Sequence, residues 1–238
     1  MIAGLLAAAW AGLTRSDARE TAAVPKTALL LFTSLPIYWG EAADLAEMLN
    51  APAKPWPRTE LERRHDLVPI DAADTASLSQ AGKLLMAQPR PLAPAENVAL
   101  DRWLGEGGRL LLFADPALTT ESAFAVGDRR RPEAVVLLSP ILARWGLRLE
   151  FDEEQALGER HVGIGGGVRL PINLPGRFAL ARGGRSDAAC RLEHDGLVAR
   201  CSVGSGRLTA VADAALLETG QETGMQRQAM ARLEALAF

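Results

Sequence analysis

Short runs of consecutive apolar residues constrain the fold of this chain more than any other feature. Residues 28–32 read ALLLF, residues 83–88 read KLLMAQ and residues 109–114 read RLLLFA. A half-exposed strand alternates apolar and polar side chains, whereas a short run without alternation indicates a strand that is buried on both faces. Further strands are expected at residues 66–70, 147–151 and 206–212.

Amphipathic stretches separate these runs. Helices are expected at residues 41–49, 94–104, 139–145 and 222–236, where apolar side chains recur at helical spacing or Pro and Gly mark the ends. Thr59, with Glu62 three residues later, predicts a capping box at the start of another helix. Strands that alternate with helices predict an α/β fold, doubly wound around a mostly parallel sheet.

Residues 155–205 interrupt this alternation. Gly and Pro are dense there and helical periodicity disappears, so we expect an antiparallel β insertion or extension of the sheet. A hairpin turn at Asp195 and Gly196 would place Cys190 directly opposite Cys201. Opposed Cα atoms lie about 4.5–5.5 Å apart, which a disulfide can span. A disulfide would indicate an oxidising compartment, whereas two free buried thiols would fit a reducing cytoplasm.

The amino terminus carries an uncharged apolar segment. Residues 2–13 read IAGLLAAAWAGL, and a polar stretch follows. Because a membrane span needs about 20 apolar residues, this segment resembles the apolar core of a signal peptide or the remnant of an anchor helix. The alternative is an ordinary buried helix rich in Ala and Leu. We expect a signal-like or anchor segment over residues 1–13, a linker over 14–27 and one α/β domain over 28–238.

Composition excludes several classes of protein. Hydrophobic residues make up 48% of the 238 residues and charged residues 23%, as in an ordinary globular protein. The net charge of −3 provides no basic field, so no nucleic-acid partner is expected. The three histidines lack metal-ligand spacing, the glycine-rich residues 163–167 lack the context of a phosphate loop, and no GxSxG motif is present. We therefore expect no metal and no cofactor.

One sequence pattern occurs twice. Residues 108–118 read GRLLLFADPAL and residues 206–216 read GRLTAVADAAL, and seven of the eleven positions agree: Gly, Arg, Leu, Ala, Asp, Ala and Leu. In each copy an aspartate, Asp115 or Asp213, stands at the carboxyl end of a predicted strand. These two aspartates are either caps of the backbone that follows or carboxylates of a site at the ligand edge of the sheet.

The loops after the strands at residues 28–32 and 83–88 define the expected binding cleft. In a doubly wound sheet, ligands bind beyond the carboxyl ends of the strands, where the strand order reverses. The candidate cleft residues are Thr33, Ser34, Tyr38, Trp39, Glu41, Gln88, Arg90, Asp115 and Asp213. Trp39 either contacts a ligand or fills the top of the core.

Four segments together resemble a known family. They are residues 35–41 (LPIYWGE), 87–90 (AQPR), 101–104 (DRWL) and 107–116 (GGRLLLFADP). They resemble the class I glutamine-amidotransferase-like domains of auxiliary components of ABC-type transport systems, the gliding-motility type included, and especially the short, singly anchored bacterial members. The resemblance covers about residues 28–238. It implies a flavodoxin-like sheet and an extracytoplasmic position beside a membrane complex.

The resemblance does not imply amidotransfer. True amidotransferases place a cysteine at a strand-to-helix elbow, served by a downstream His and Glu. The equivalent segment here is residues 114–116, which offers Asp115, and no Cys–His pair can be carried over.

We therefore expect a non-catalytic binding or scaffold domain, tethered on the outer side of the cytoplasmic membrane. Its partner would be a transporter-like or envelope complex, and the residues do not indicate which small molecule it binds. One alternative is an amidase- or hydrolase-type enzyme that uses Asp115 with Glu41 or Asp213 as acid and base. The other is a cytoplasmic sensor of a small ligand.

Overall fold

The structure, a computed structural model, describes residues 26–41, 54–218 and 223–238. The strands are β1 (Thr27–Thr33), β2 (His65–Pro69), β3 (Lys83–Ala87), β4 (Arg109–Phe113), β5 (Leu147–Glu150), β6 (Arg160–Gly163), β7 (Arg169–Ile172), β8 (Arg177–Leu180), β9 (Ala188–Glu193), β10 (Val198–Val203) and β11 (Gly206–Val211). The helices are α1 (Trp56–Arg64), α2 (Thr75–Leu78), α3 (Pro94–Gly105), α4 (Ser139–Arg144) and α5 (Gly224–Ala237). The apolar segment predicted at residues 1–13, the linker up to residue 25 and the helix predicted to continue from residue 42 lie outside the described residues.

A seven-stranded sheet forms the centre of the fold, in the order β2-β1-β3-β4-β11-β10-β9. The first five of these strands are parallel, and β10 and β9 extend the sheet as antiparallel strands. With β11 as the fifth strand, the parallel part has the flavodoxin-like order 2-1-3-4-5. The predicted α/β fold, a flavodoxin-like and mostly parallel sheet with an antiparallel extension, is therefore confirmed.

Both faces of the sheet are buried, which explains why the strands show no alternation in sequence. Leu84 and Leu110 point to one face and pack in a cluster with residues of α2, α3 and α4. Leu85 and Leu111 point to the other face and pack in a cluster with residues of α1 and α5. None of the helices in the described parts of the chain has the length and apolar character needed to cross a membrane.

The two copies of the repeated pattern are neighbours in the sheet. Strands β4 and β11 pair in parallel, with Arg109 opposite Arg207 and Phe113 opposite Val211. Because the pairing follows the repeat position by position, the aspartates that end the two copies emerge side by side at the carboxyl edge.

The predicted strand at residues 147–151 exists, but its placement in the parallel sheet was wrong. Strand β5 pairs antiparallel with β8 in a separate two-stranded sheet, and β6 pairs with β7 in another. The place beside β4 is occupied by β11. Gly146, two residues after the end of α4, adopts a φ of 83°, so the chain turns back there instead of crossing the sheet.

The capping box predicted at Thr59 was also wrong. Helix α1 begins three residues earlier, at Trp56, with proline in its first turn. Proline is well placed in a first turn because its fixed φ is close to the helical value. The N–H group that proline lacks would have no hydrogen-bond partner inside the helix at this position. Glu62 instead pairs with Lys54 at 2.8 Å and with Arg58 at 2.7 Å.

The register of the β9–β10 hairpin is the one predicted from its turn. Glu193 faces Val198, and a 3₁₀ turn over His194–Gly196 connects the strands. Cys190 faces Cys201 with a Cα–Cα distance of 4.1 Å, and a disulfide joins them.

Candidate functional site

A cleft of about 530 Å³ opens at the carboxyl end of β1. It lies on the β2 side of β1, because Pro69, Ile70 and Asp71 line it and no residue of β3 does, whereas the strand order reverses between β1 and β3. Its walls are the loop after β1, the end of β2 and two side chains from the long segment after β4. The residues that line it include Thr33, Ser34, Tyr38, Trp39, Glu41, Asp71, Phe124 and Arg130.

Two neighbouring aromatic residues, Tyr38 and Trp39, form an aromatic ledge on the rim of this cleft. Their rings meet edge to face with centroids 4.7 Å apart. Arg58 of α1 holds Tyr38 in place, since its guanidinium lies 4.0 Å from the ring centroid and donates to the Tyr38 carbonyl at 2.9 Å. Trp39 is 77% exposed, so the interpretation that it fills the top of the core is wrong.

Glu41 ties the loop after β1 to the opposite wall of the cleft. Its carboxylate accepts hydrogen bonds from the Ser122 hydroxyl at 2.8 Å and from the Ala123 N–H at 2.6 Å. On the same wall the Arg130 guanidinium lies 4.2 Å from the centroid of the Phe124 ring. The cleft is therefore lined by aromatic rings together with charges of both signs.

Gln88 stands at a strained turn directly after β3 and does not line the cleft. Its φ is 44°, a conformation that non-glycine residues seldom adopt. The side chain is fully buried, and its amide donates to the carbonyls of Asp115 at 3.0 Å and Glu133 at 2.8 Å while accepting from the Asp115 N–H at 2.9 Å. Gln88 thus joins the end of β3 to two other loops.

Ser34 connects this arrangement to the cleft. Its hydroxyl donates to the Gln88 carbonyl at 2.5 Å and accepts from the Glu133 N–H at 3.0 Å. The loops after β1 and β3 are therefore in direct contact. Only the first of them lines the cleft, because Gln88 turns into the protein and Arg90 turns toward Glu96.

Asp115 is buried at the end of β4 and braces the backbone around it. Its carboxylate accepts from the N–H groups of Ala117 at 2.8 Å and Ala214 at 3.0 Å. Burial raises the pKa of Asp115 to about 6, although the two N–H groups act in the opposite direction. No helix follows directly, so this aspartate holds a loop rather than capping a helix.

Asp213 occupies the matching position at the end of β11. It accepts from the N–H of Ala215 at 2.7 Å, where a short 3₁₀ turn begins, and from the N–H of Asn173 at 2.8 Å. Burial and then the nearby Asp115 carboxylate raise its pKa well above the usual value. All four oxygens of the two aspartates therefore accept a backbone N–H, which the repeat in sequence did not reveal.

Arg90 holds the start of α3 and does not line the cleft. Its guanidinium donates to both carboxylate oxygens of Glu96, at 2.7 and 2.9 Å, and to the Asp71 carbonyl at 2.8 Å. The Arg90 guanidinium is the main reason that the pKa of Glu96 falls to about 2. Within the described residues, no group of three His, Cys, Asp or Glu side chains is placed to bind a metal.

Comparison with known proteins supports the fold. No family model matches the chain, and no curated protein matches it. Among solved structures, an exo-β-1,4-mannosidase from Opitutaceae bacterium strain TAV5 matches with a TM-score of 0.50 and 14% identity, over 89% of this chain and 36% of that one. The chain thus spans about a third of the mannosidase, and this likeness shows the fold alone.

Two shorter proteins also resemble the chain. A cytoplasmic protein from Salmonella typhimurium has a TM-score of 0.47 and 11% identity, over 89% of this chain and 99% of that one. A ThuA-like protein from Bacteroides uniformis has a TM-score of 0.43 and 12% identity, over 88% of this chain and 89% of that one.

Proposed function

We propose that this chain is a non-catalytic binding domain, whose ligand or partner contacts the cleft at β1 and the aromatic ledge. The observation that carries this proposal is the place of Gln88. Hydrolases of α/β architecture expose a nucleophile at a strained turn after a strand. Here the strained turn lies after β3 and not at residues 114–116, where the resemblance placed the equivalent segment. It carries Gln88, which is fully buried and hydrogen-bonded through both its amide nitrogen and its amide oxygen.

The cleft itself has features of a binding site. Exposed aromatic side chains contribute much of the binding energy in many interfaces because they bury a large apolar area with little loss of freedom. Trp39 is exposed beside Tyr38, which Arg58 holds. Glu41 and Arg130 also line the cleft, but Glu41 is hydrogen-bonded to Ser122 and Ala123 and Arg130 is paired with Asp128 at 2.7 Å, so the aromatic ledge offers the main contact surface.

A carboxylate-based hydrolase is the second candidate. The raised pKa values of Asp115 and Asp213 favour it, since buried carboxyl groups with raised pKa values often act as general acids. The hydrogen bonds from backbone N–H groups to all four oxygens of Asp115 and Asp213 argue against a hydrolase, because a catalytic carboxyl group must reach the substrate.

We further propose that the domain lies outside the cytoplasm, tethered to the membrane as an auxiliary of a transporter-like complex. The Cys190–Cys201 disulfide supports this location, because disulfides persist mainly in oxidising compartments. The apolar residues 2–13 and the resemblance to domains of ABC-type transport auxiliaries support the tether and the partner.

An activity assay tests the first proposal. We expect the purified protein to hydrolyse neither glutamine nor aryl esters above the rate of an Asp115→Asn variant. Turnover by the wild-type protein that the folded variant lacks would establish the hydrolase instead.

Thiol counting tests the location. We expect no free thiol in unreduced, denatured protein recovered from its native host, and two after reduction. Two free thiols before reduction would contradict an extracytoplasmic location.

A further inference from the structure

A second concave surface lies on the antiparallel extension of the sheet, far along the strand order from the cleft at β1. This groove has a volume of about 410 Å³. Strands β9, β10 and β11 form its floor and Leu236 of α5 contributes to its wall. We call it the arginine groove, because Arg191, Arg200 and Arg207 line it and no acidic residue does.

The strand register brings these three arginines together. Arg191 and Arg200 are directly opposed across β9 and β10, and Arg200 faces Thr209 on β11. Arg207 lies two residues before Thr209 and therefore projects from the same face of the sheet. Directly opposed Cβ atoms are about 4.5–5.5 Å apart and diagonal ones about 7–8 Å, so three guanidinium groups can reach one ligand.

The groove lacks the negative charge needed to balance these arginines. One oxygen of Glu193 lies 2.9 Å from Arg191 and 3.7 Å from Arg200, so two guanidinium groups share one carboxylate. Arg207 is exposed, and no hydrogen bond or ion pair joins its side chain to any residue that the structure describes. Like charges that face each other across strands destabilise a sheet unless a counter-charge is present.

Glu234, the one acidic residue of α5, does not supply this charge. Glu234 is buried and binds Arg64 at 2.7 Å and His65 at 2.8 Å. Three guanidinium groups against the single carboxylate of Glu193 therefore leave two positive charges in a concave surface, where the field of a charge is concentrated.

We propose that the arginine groove binds a phosphate monoester. A phosphate monoester carries about −1.5 to −2 charges at neutral pH, which matches the two unbalanced positive charges. Its oxygens accept paired hydrogen bonds from the planar guanidinium group of arginine. The site is separate from the cleft at β1, so it does not depend on the function proposed for that cleft.

Binding of glycerol 3-phosphate to the full chain, measured by calorimetry at constant ionic strength, tests the site. Wild-type protein is expected to bind it saturably with one site. Arg207→Gln is expected to weaken binding about tenfold or more, since a hydrogen bond to a charged group is lost. Glu193→Gln is expected to strengthen binding, because it frees Arg191 and Arg200 from a competing carboxylate.

Arg102→Gln provides the matched control. Arg102 is an exposed arginine on α3, on the opposite face of the sheet, and its replacement removes the same charge. Affinity should then remain within about twofold of the wild-type value, because a distant exposed charge is largely screened. The proposal would be overturned if Arg102→Gln and Arg207→Gln lowered the affinity for glycerol 3-phosphate equally. It would also be overturned if the wild-type protein showed no saturable binding.

A second arm distinguishes the source of the phosphate group. The full chain is mixed with phosphatidylcholine vesicles, with and without phosphatidic acid, whose headgroup is a phosphate monoester. Binding that requires phosphatidic acid, is lost in Arg207→Gln and is displaced by glycerol 3-phosphate would identify a lipid headgroup. Binding of glycerol 3-phosphate without an effect of phosphatidic acid would identify a soluble phosphate monoester.

Discussion

The carboxyl edge of the sheet has two halves that differ in how their polar groups are used. Over β3, β4 and β11, Gln88, Asp115 and Asp213 are buried and hydrogen-bonded to the backbone of neighbouring loops. Over β1, Tyr38 and Trp39 stand at an open cleft, and Trp39 is exposed. We call these the braced half and the open half of the edge.

This difference shows that position at the ligand edge does not by itself make a residue a ligand contact. A buried amide or carboxylate with all its partners in place contributes to stability, and breaking such a group leaves several others unpaired. An exposed aromatic residue contributes little to stability and is available to a partner. Four substitutions separate the two halves by measurement.

The largest effect is expected in the braced half, from Gln88→Ala. This change leaves the N–H and carbonyl of Asp115 and the carbonyl of Glu133 without their partners. Unpaired buried polar groups and a new cavity should lower the free energy of unfolding by about 3 kcal/mol or more, as measured by urea denaturation. A loss below about 1 kcal/mol would show that the loops do not depend on this side chain.

The next effect is a dependence of stability on pH that arises from Asp115 and Asp213. An unfolded aspartate releases its proton near pH 4, whereas the pKa of folded Asp115 is about 6 and that of Asp213 is also raised. The folded state therefore binds more protons, and stability should fall as the pH rises from about 4 to beyond 6, by up to about 3 kcal/mol for Asp115.

The pH dependence of Asp115→Asn isolates this effect. Carboxylates with a lowered pKa, such as Glu96, are already ionised above pH 5 and do not change in this interval. Unfolding free energies measured from pH 5 to pH 8 should fall in the wild-type protein and fall less steeply in the variant. Parallel curves would show that Asp115 does not titrate in this range.

A smaller effect is expected at the boundary of the two halves, from Glu41→Ala. Glu41 accepts two hydrogen bonds from the segment at Ser122 and Ala123, but it is only half-buried, so water can replace them. The free energy of unfolding should fall by about 1 kcal/mol, and hydrogen exchange at the Ala123 N–H should accelerate. Unchanged exchange would show that Glu41 does not hold this wall.

The smallest effect on stability is expected in the open half, from Trp39→Ala. Because the side chain is 77% exposed, the free energy of unfolding should change by no more than about 0.5 kcal/mol in urea denaturation. A loss comparable to that of Gln88→Ala would remove the distinction between the halves and show that Trp39 is part of the core.

The strands and the hairpin could be predicted because their signals are local. Residues 83–88 and 109–114 are apolar without interruption, and a strand is the short element that such a run favours when both sheet faces are covered. The register of Cys190 and Cys201 followed by counting from a turn. In contrast, Thr59 suggested a helix start that the prolines preceding it moved to Trp56, because two local signals competed.

The division of the carboxyl edge could not be predicted, because it depends on partners distant in sequence. Gln88 binds backbone groups 27 and 45 residues away, and Asp115 binds an N–H group 99 residues away. The sequence shows only that a polar residue follows a strand, and this is equally true of Ser34, Gln88 and Asp115. Whether such a side chain is buried depends on which loops pack against it in the folded protein.

The sequence by itself determined the α/β class, the parallel strands and the opposed cysteines, since each of these follows from periodicity or spacing over a few residues. Only the tertiary structure decided that β5 leaves the main sheet, that the aspartates of the repeated pattern brace loops and that three arginines share one groove. The physical reason is that the burial of a residue and the balance of charge around it depend on all the residues that surround it in space. The order of residues along the chain does not specify which residues those are.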